Sequence, residues 1–212
     1  MRASSRSVVR INGSVRAPGD KSCSHRAVMM AAVASGESTV TGLLEGEDVL
    51  NTAKAVRALG AGVERTGQGA WTIAGVGTRG FVSPAADLDF GNSGTGARLM
   101  MGLVGGHAVT ARFVGDASLS SRPMERVLKP LREMGVVADT AVGGRLPAVI
   151  RGGSLKAIRY APPEASAQVK SAIMLAGLRA DGVTVVEEKE ATRDHTERML
   201  RAFGVDVGVE MR

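Results

Sequence analysis

Cations, hydroxyls and amides cluster at the start of three apolar segments of this chain. The clusters are Lys21, Ser22, Ser24 and Arg26; Asn92, Ser93, Gly94, Thr95 and Arg98; and Ser166, Gln168 and Lys170. Helix capping explains Ser24, Thr95 and Ser166 without any ligand. Capping does not explain the cations, because the partial positive charge at a helix start disfavours each Lys or Arg by about 0.3–1 kcal/mol. A phosphate or carboxylate that binds there would reverse this effect.

The elements that must position these clusters repeat three times. Each unit begins with a segment that is apolar on nearly all faces, which predicts a buried helix; the segments are residues 24–36, 95–106 and 166–178. A β-branched strand, a polar loop and an amphipathic helix follow. The amphipathic helices end near Gly60, Gly135 and Gly204, and glycine is a common helix terminator. We therefore predict an α/β fold of three units, at about 20–80, 90–155 and 160–212.

The last part of each unit predicts strands. Residues 62–76 and 136–152 each hold two alternating runs around turn residues, which predicts a hairpin. The third unit holds one such run, residues 205–210, so we expect an incomplete third repeat in a truncated chain. The alternative is a natural end with an unpaired strand. If the units pack with pseudo-threefold symmetry, the starts of the three buried helices converge on one cleft.

Composition limits the class of ligand. The chain has 212 residues, 44% of them hydrophobic, and a net charge of +6, which favours anionic partners. Trp71 and Tyr160 are the only large amphipathic rings and no run of basic residues occurs, so phosphorylated small molecules are favoured over nucleic acid. The sequence offers no long uncharged apolar stretch and no signal peptide, so no membrane association is expected. The single cysteine, Cys23, excludes an internal disulfide and indicates the cytoplasm.

No metal and no cofactor are expected. His25, His107 and His195 lack the spacing of metal ligands, and Cys23 is interpreted as a packing residue at a helix start. Val15 and Asp20 stand where a nucleotide-binding P-loop would need glycines.

Six ordered motifs resemble the N-terminal half of the 5-enolpyruvylshikimate-3-phosphate synthase family. They are PGDKSCSHR, LLEGEDVLNT, DFGNSGTGAR, GDASLSSRPMERVLKPLREMG, SAQVKSAIMLAGL and TRDHTERML. The pattern is most similar to the class II type. The resemblance implies an inside-out α/β barrel of three βαβαββ-like repeats with buried helices, the third incomplete here. It also implies enolpyruvyl transfer from phosphoenolpyruvate to the 5-hydroxyl of shikimate 3-phosphate, with release of phosphate and without a cofactor.

The resemblance implies two sets of substrate-binding residues. Those for shikimate 3-phosphate are Lys21, Ser22, Arg26, Ser166, Ala167, Gln168 and Arg193. Those for phosphoenolpyruvate are Lys21, Asn92, Gly94, Thr95, Arg122 and Gln168. Ala167 stands where other members carry a serine. Lys21 is the candidate catalytic residue, either in proton transfer or as an electrostatic clamp.

The resemblance also implies a second domain that carries the other catalytic residues and follows this chain. We therefore expect residues 1–15 to be a strand that packs on that absent domain, and residues 16–212 to form the shikimate-phosphate-binding domain. The chain alone should be inactive, and a complementing C-terminal half is one candidate partner. Gly94 implies that the complete enzyme is sensitive to glyphosate. The alternatives are a non-catalytic phosphate-ligand-binding half-protein, a UDP-N-acetylglucosamine enolpyruvyl transferase, which KSCSHR and SSRPM disfavour, and a nucleic-acid binder.

Overall fold

Three buried helices form the centre of the protein. We describe residues 3–210 from a computed structural model. The three helices are α1 (Lys21–Val33), α3 (Gly94–Gly105) and α6 (Ala167–Gly177). Helices α3 and α6 pack most closely, since a Cβ added to Gly102 would lie only 2.2 Å from the carbonyl oxygen of Ala172. Glycine at this point lets the two backbones approach each other.

The first unit has the predicted order of elements. After α1 come β1 (Glu37–Thr41), α2 (Glu47–Ala58), β2 (Gly62–Gly67) and β3 (Ala70–Ala74), then a short 3-10 helix, Gly77–Arg79. The strands form an antiparallel sheet in the order β1-β3-β2. Trp71 and Ile73 of β3 turn toward the core while their neighbours are less buried, as expected of a sheet with one covered face.

The second unit repeats this arrangement with two added elements, a short strand and a short helix. Its elements are β4 (Leu88–Asp89), α3, β5 (Thr110–Val114), α4 (Ala117–Ser120), α5 (Glu125–Met134), β6 (Val137–Ala141) and β7 (Arg145–Arg151). The sheet order is β4-β5-β7-β6, with β6 and β7 as the predicted hairpin. The predicted polar loop contains the single turn α4, which Asp116 caps by accepting a hydrogen bond from the backbone N–H of Leu119.

The third unit is less regular. It contains β8 (Leu155–Lys156), β9 (Arg159–Tyr160), α6, β10 (Ala180–Asp181), β11 (Val185–Val186) and α7 (His195–Ala202). Strands β8 and β10 pair in parallel, as do β9 and β11. The strand predicted over 205–210 is wrong: these residues form no helix or strand. No strand among residues 3–210 pairs with them, and Val205 and Val207 instead pack partly against the core.

The N-terminal segment also lacks the predicted regular structure. Residues 3–20 contain no helix or strand, and Val9, Ile11 and Val15 are exposed. The strand predicted over 1–15 is therefore not formed within 3–15, while Met1 and Arg2 lie outside the described residues. Its packing on a second domain stays a prediction.

The three helix-ending glycines behave as predicted. Gly60 follows α2 with φ +101°, Gly135 ends α5 with φ +116°, and Gly204 follows α7 with φ +83°. Positive φ is strained for residues that carry a Cβ, which is why glycine stands at these turns. Within residues 3–210, no helix is both long and apolar enough to cross a membrane.

Candidate anion-binding site

The starts of the three buried helices lie together. Gln168 of α6 donates from Nε2 to Thr95 Oγ1 of α3 at 3.0 Å. Arg26 of α1 donates from Nη2 to Ser171 Oγ of α6 at 2.8 Å. His25 of α1 approaches the residue before α3, with 3.4 Å between its Nε2 and the Oγ of that serine. The convergence that the repeat predicted is therefore present.

The residues that cap these helices differ in part from those predicted. Asp20 caps α1 by accepting from the Cys23 N–H at 2.7 Å, and this hydrogen bond is the main reason that the pKa of Asp20 is lowered. Ser93 caps α3, and Ser166 caps α6 as predicted. Ser24 is not a cap, because its hydroxyl lies one turn inside α1 and donates to the Asp20 carbonyl. Thr95 is also inside its helix.

Arg26 is a buried cation held by oxygen atoms that carry no charge. Only 3% of it is exposed. It donates to Thr196 Oγ1 at 2.7 Å, to Ser171 Oγ at 2.8 Å and to the Ser22 carbonyl at 3.0 Å. Burial is the main cause of its lowered pKa, and the positive charge of Arg193 adds to it. A guanidinium has five N–H donors, so Arg26 keeps hydrogen-bonding capacity for an incoming anion.

The other predicted residues of α1 and of the loop before α7 lie at or near the surface around Arg26. Lys21 pairs with Asp48 at 2.9 Å, and its side chain is 53% exposed. A pair this exposed contributes about 0–1 kcal/mol, so a ligand can exchange with it at little cost. Ser22 is half-buried and Arg193 is exposed. Burial and then the positive charge of Arg193 lower the pKa of Arg26, so the two cations are close enough to influence each other.

The loop before α3 is held by Arg122. This arginine donates from Nη2 to Asn92 Oδ1 at 2.6 Å and to Ser118 Oγ at 2.9 Å. Asn92 in turn donates to Asp116 Oδ2 at 2.8 Å. Gly94 is buried beneath this arginine: a Cβ added there would lie 3.4 Å from Arg122 Nη1. The predicted residues Asn92, Gly94 and Arg122 therefore form one polar group.

Arg98 belongs to the same group and was absent from the predicted binding set. It is 5% exposed, and burial lowers its pKa to about 10, with further lowering from the charges of Arg126 and Arg122. Its Nη2 donates to the Pro123 carbonyl at 3.0 Å, while its buried Nε has no partner among the described residues. No carboxylate is hydrogen-bonded to it within residues 3–210. Arg98 lies one turn inside the second of the repeated buried helices, and this position was the signal in the sequence that could have identified it as a binding residue.

Gln168 links the two halves of the site. Its Oε1 accepts from Arg98 Nη1 at 3.2 Å and from Arg126 Nη2 at 2.9 Å, and its Nε2 donates to Thr95. These contacts fix the orientation of the amide. Ser166 and Ala167, immediately before it, are half-buried at the start of α6.

Lys170 is not available to a ligand, contrary to the prediction for the third cluster. Its Nζ lies 2.7 Å from Glu188 Oε2 and 2.6 Å from Glu197 Oε1, and its side chain is only 6% exposed. The cation at the start of α6 is therefore compensated by two carboxylates of the protein. Both lie in later segments, so the sequence around Lys170 gave no signal of them.

His25 is a structural residue of the site. It is fully buried, and burial lowers its pKa to about 4, so it is neutral at pH 7. Its Nδ1 is 2.8 Å from Thr52 Oγ1. It ties α1 to α2 and to the loop before α3.

The fold defines a protein of α/β type, built from repeated units whose buried helices begin at one place around two buried arginines. Residues 5–212 match the family model described as EPSP synthase (3-phosphoshikimate 1-carboxyvinyltransferase). The chain belongs to the EPSP synthase family, as its six motifs predicted.

Curated relatives and solved structures agree with this. The 3-phosphoshikimate 1-carboxyvinyltransferase of Hyphomonas neptunium is 60% identical over 205 residues, which are 96% of this chain and 47% of that protein. That of Parvibaculum lavamentivorans is 60% identical over 199 residues, 93% of this chain and 44% of that protein. An EPSP synthase structure from Acinetobacter baumannii superposes with a TM-score of 0.90 at 54% identity, covering 93% of this chain and 45% of that one. The chain thus spans about half the length of these relatives, and the predicted α/β fold is confirmed.

Proposed function

We propose that this chain supplies one half of a 3-phosphoshikimate 1-carboxyvinyltransferase. The complete enzyme would transfer the enolpyruvyl group of phosphoenolpyruvate to the 5-hydroxyl of shikimate 3-phosphate and release phosphate, a step of aromatic amino acid biosynthesis. The observation that carries the proposal is the convergence of three helix starts around Arg26 and Arg98, two buried cations to which no carboxylate among residues 3–210 is hydrogen-bonded. Helix starts and guanidinium groups are the parts of a protein that favour phosphate and carboxylate ligands.

The residues around Arg26 would bind shikimate 3-phosphate. This set is Lys21, Ser22, Arg26, Ser166, Ala167, Gln168 and Arg193. The burial of the two arginines supports this set. Arg193 is exposed, so an anion would reach it from solvent. Arg26 is buried and donates to the Ser22 carbonyl, so an anion would reach it through the start of α1. Ala167 cannot supply a side-chain hydrogen bond, so here the backbone at the start of α6 would take that role.

The residues around Arg122 would bind phosphoenolpyruvate. This set is Lys21, Asn92, Gly94, Thr95, Arg122 and Gln168. Gly94 supports it, because a Cβ there would lie only 2.8 Å from Arg98 Nη1 and 3.4 Å from Arg122 Nη1, so the lack of a side chain lets both guanidinium groups approach the start of α3. Two guanidinium groups at one helix start match an anion with more than one charge. Glyphosate would bind at the same place in the complete enzyme.

Lys21 would act at the junction of both substrates. It is exposed and paired with Asp48, so it can turn to a ligand and stabilise charge or assist proton transfer. The remaining catalytic groups would come from a second domain, supplied by a continuous or a complementing chain, and this half alone would be inactive. A cytoplasmic location, suggested by the single cysteine, is part of the proposal.

A fusion enzyme tests the proposal. This chain would be joined to the remaining half of the Hyphomonas neptunium relative, and phosphate release would be measured with phosphoenolpyruvate and either shikimate 3-phosphate or UDP-N-acetylglucosamine. We expect release with shikimate 3-phosphate alone, loss of release in Lys21→Met, and none from the isolated chain. Lys156→Ala, an exposed lysine in β8, is the control and should leave release unchanged. A folded fusion protein that releases no phosphate, or prefers the UDP-sugar, would overturn the proposal.

A further inference from the structure

Three side chains of metal-binding type meet where α1 and α7 begin. Asp20 and Cys23 come from the first turn of α1, and His195 is the first residue of α7. Their ligand atoms, a carboxylate oxygen, a thiol sulfur and an imidazole nitrogen, all lie within 4.8 Å of one another. The sequence predicted no metal because His195 lies far along the chain from Cys23, so local spacing does not reveal the cluster.

The donor set fits a borderline-soft divalent cation. Thiolate, imidazole and carboxylate are the three protein ligands of Zn²⁺, at about 2.0–2.3 Å from the ion. Around a tetrahedral ion such bonds separate the ligand atoms by about 3.3–3.8 Å, so the three side chains would have to close by about 1 Å. Asp20 is exposed and the other two residues are half-buried, which allows this movement and leaves a path from solvent.

The cluster has free bonding capacity. Asp20 uses Oδ1 to accept from the Cys23 N–H, so its second oxygen can face an ion while the helix cap stays in place. Cys23 forms no disulfide. Burial and the neighbouring carboxyl raise the pKa of its thiol, so at neutral pH an ion must displace a proton to bind the sulfur. The positive charges of Arg26 and Arg193 lie nearby and repel a cation. A bound ion should therefore exchange with solvent and not occupy the site permanently.

We propose that Asp20, Cys23 and His195 form a binding site for one thiophilic divalent cation, such as Zn²⁺, with a fourth position left to water. The ion would join the first turn of α1 to the first turn of α7 and so restrain the two segments that flank Arg26. Ser22 lies between two of the ligands and Arg193 lies two residues before the third, so metal binding and anion binding at Arg26 should influence each other. The metal site itself does not depend on the proposed enzymatic function.

Titration of the full 212-residue chain with Co²⁺, and then with Zn²⁺ in competition, tests the proposal. We expect one equivalent of Co²⁺ to bind with sulfur-to-cobalt charge-transfer absorption, Zn²⁺ to displace it, and Zn²⁺ to raise the midpoint of thermal unfolding. Cys23→Ser should abolish the charge-transfer band, and His195→Gln and Asp20→Asn should each weaken Zn²⁺ binding by about tenfold or more. Asp206→Asn, an exposed acid outside the cluster, is the matched control.

Two results would overturn the metal site. One is the absence of charge-transfer absorption from wild-type chain with intact secondary structure. The other is Zn²⁺ affinity that is the same in Cys23→Ser, His195→Gln and wild type, which would place the ion elsewhere. If Cys23→Ser does not fold, His195→Gln decides, because His195 is only half-buried and stands at the start of α7.

Discussion

Replacing Lys170 by methionine tests whether this cation serves the fold and not a ligand. Methionine keeps much of the side-chain length but removes the charge that faces Glu188 and Glu197. The three side chains are 6%, 19% and 10% exposed, respectively. Breaking a buried ion pair by removing one partner costs about 3–5 kcal/mol, because the other charge stays buried without compensation. We expect about 3 kcal/mol, the lower end, since Glu188 keeps some solvent and accepts a hydrogen bond from Thr192.

Chemical denaturation at pH 7 measures this loss, with Arg151→Met as the matched control. Arg151 pairs with Asp139, but these side chains are 47% and 64% exposed, so the control should lose about 0–1 kcal/mol.

Burial by itself raises the pKa of Glu188, but the contacts with Lys170 outweigh it and the net pKa is lowered. The stabilising effect of this pair is therefore present above the ordinary glutamate pKa and is lost as pH falls through the lowered value. The gap between Lys170→Met and wild type should accordingly shrink in acid. A loss no larger than that of Arg151→Met would refute the buried network.

Three further predictions concern single positions. Gly94→Ala should displace Arg98, whose Nη1 would lie 2.8 Å from the new Cβ, and should reduce inhibition of the fusion enzyme by glyphosate; unchanged inhibition would contradict the role of Gly94 in placing Arg98. Burial lowers the pKa of both His25 and His107 to about 4, so stability should fall as pH drops from about 6.5 toward 4, by up to about 3 kcal/mol for each histidine, and a flat stability profile in denaturation experiments would exclude this. Gly102→Ala should cost about 3 kcal/mol or more in chemical denaturation, because the new Cβ would meet the backbone of α6 at 2.2 Å; a neutral variant would show that the two helices can separate.

Local sequence patterns predicted most of the fold, because the helix ends and tight turns that they mark depend on residues close in the sequence. Apolar runs on all faces marked the three buried helices, and Gly60, Gly135 and Gly204 marked helix ends that need positive φ. The hairpins over 62–76 and 136–152 followed from alternation and turn residues. The same logic failed for 205–210, where the residues alternate but no strand within 3–210 pairs with them.

The site was predicted less completely, because its key contacts join distant segments. The type of Arg26 was informative, but its partners Ser171 and Thr196 both lie in the third unit. Lys170 was interpreted as a free cation since Glu188 and Glu197 follow it only in a later loop and helix. The cap of α1 was assigned to the wrong residue, since Ser24 was predicted and Asp20 is the cap. An aspartate directly before an apolar helix is itself a capping signal, so the sequence contained the information needed.

Calorimetric titration of the 212-residue chain with shikimate 3-phosphate tests the central claim most directly. The account predicts saturable binding of one equivalent, weaker binding of inorganic phosphate, no binding of UDP-N-acetylglucosamine, and loss of affinity in Arg193→Ala but not in Lys156→Ala. Arg193 is suited to this test because it is exposed, so its removal should leave the fold intact. Two results would contradict the claim that this half carries the shikimate 3-phosphate site. One is a chain that unfolds cooperatively yet gives no saturable heat with shikimate 3-phosphate. The other is an Arg193→Ala variant that binds shikimate 3-phosphate as well as the wild type does.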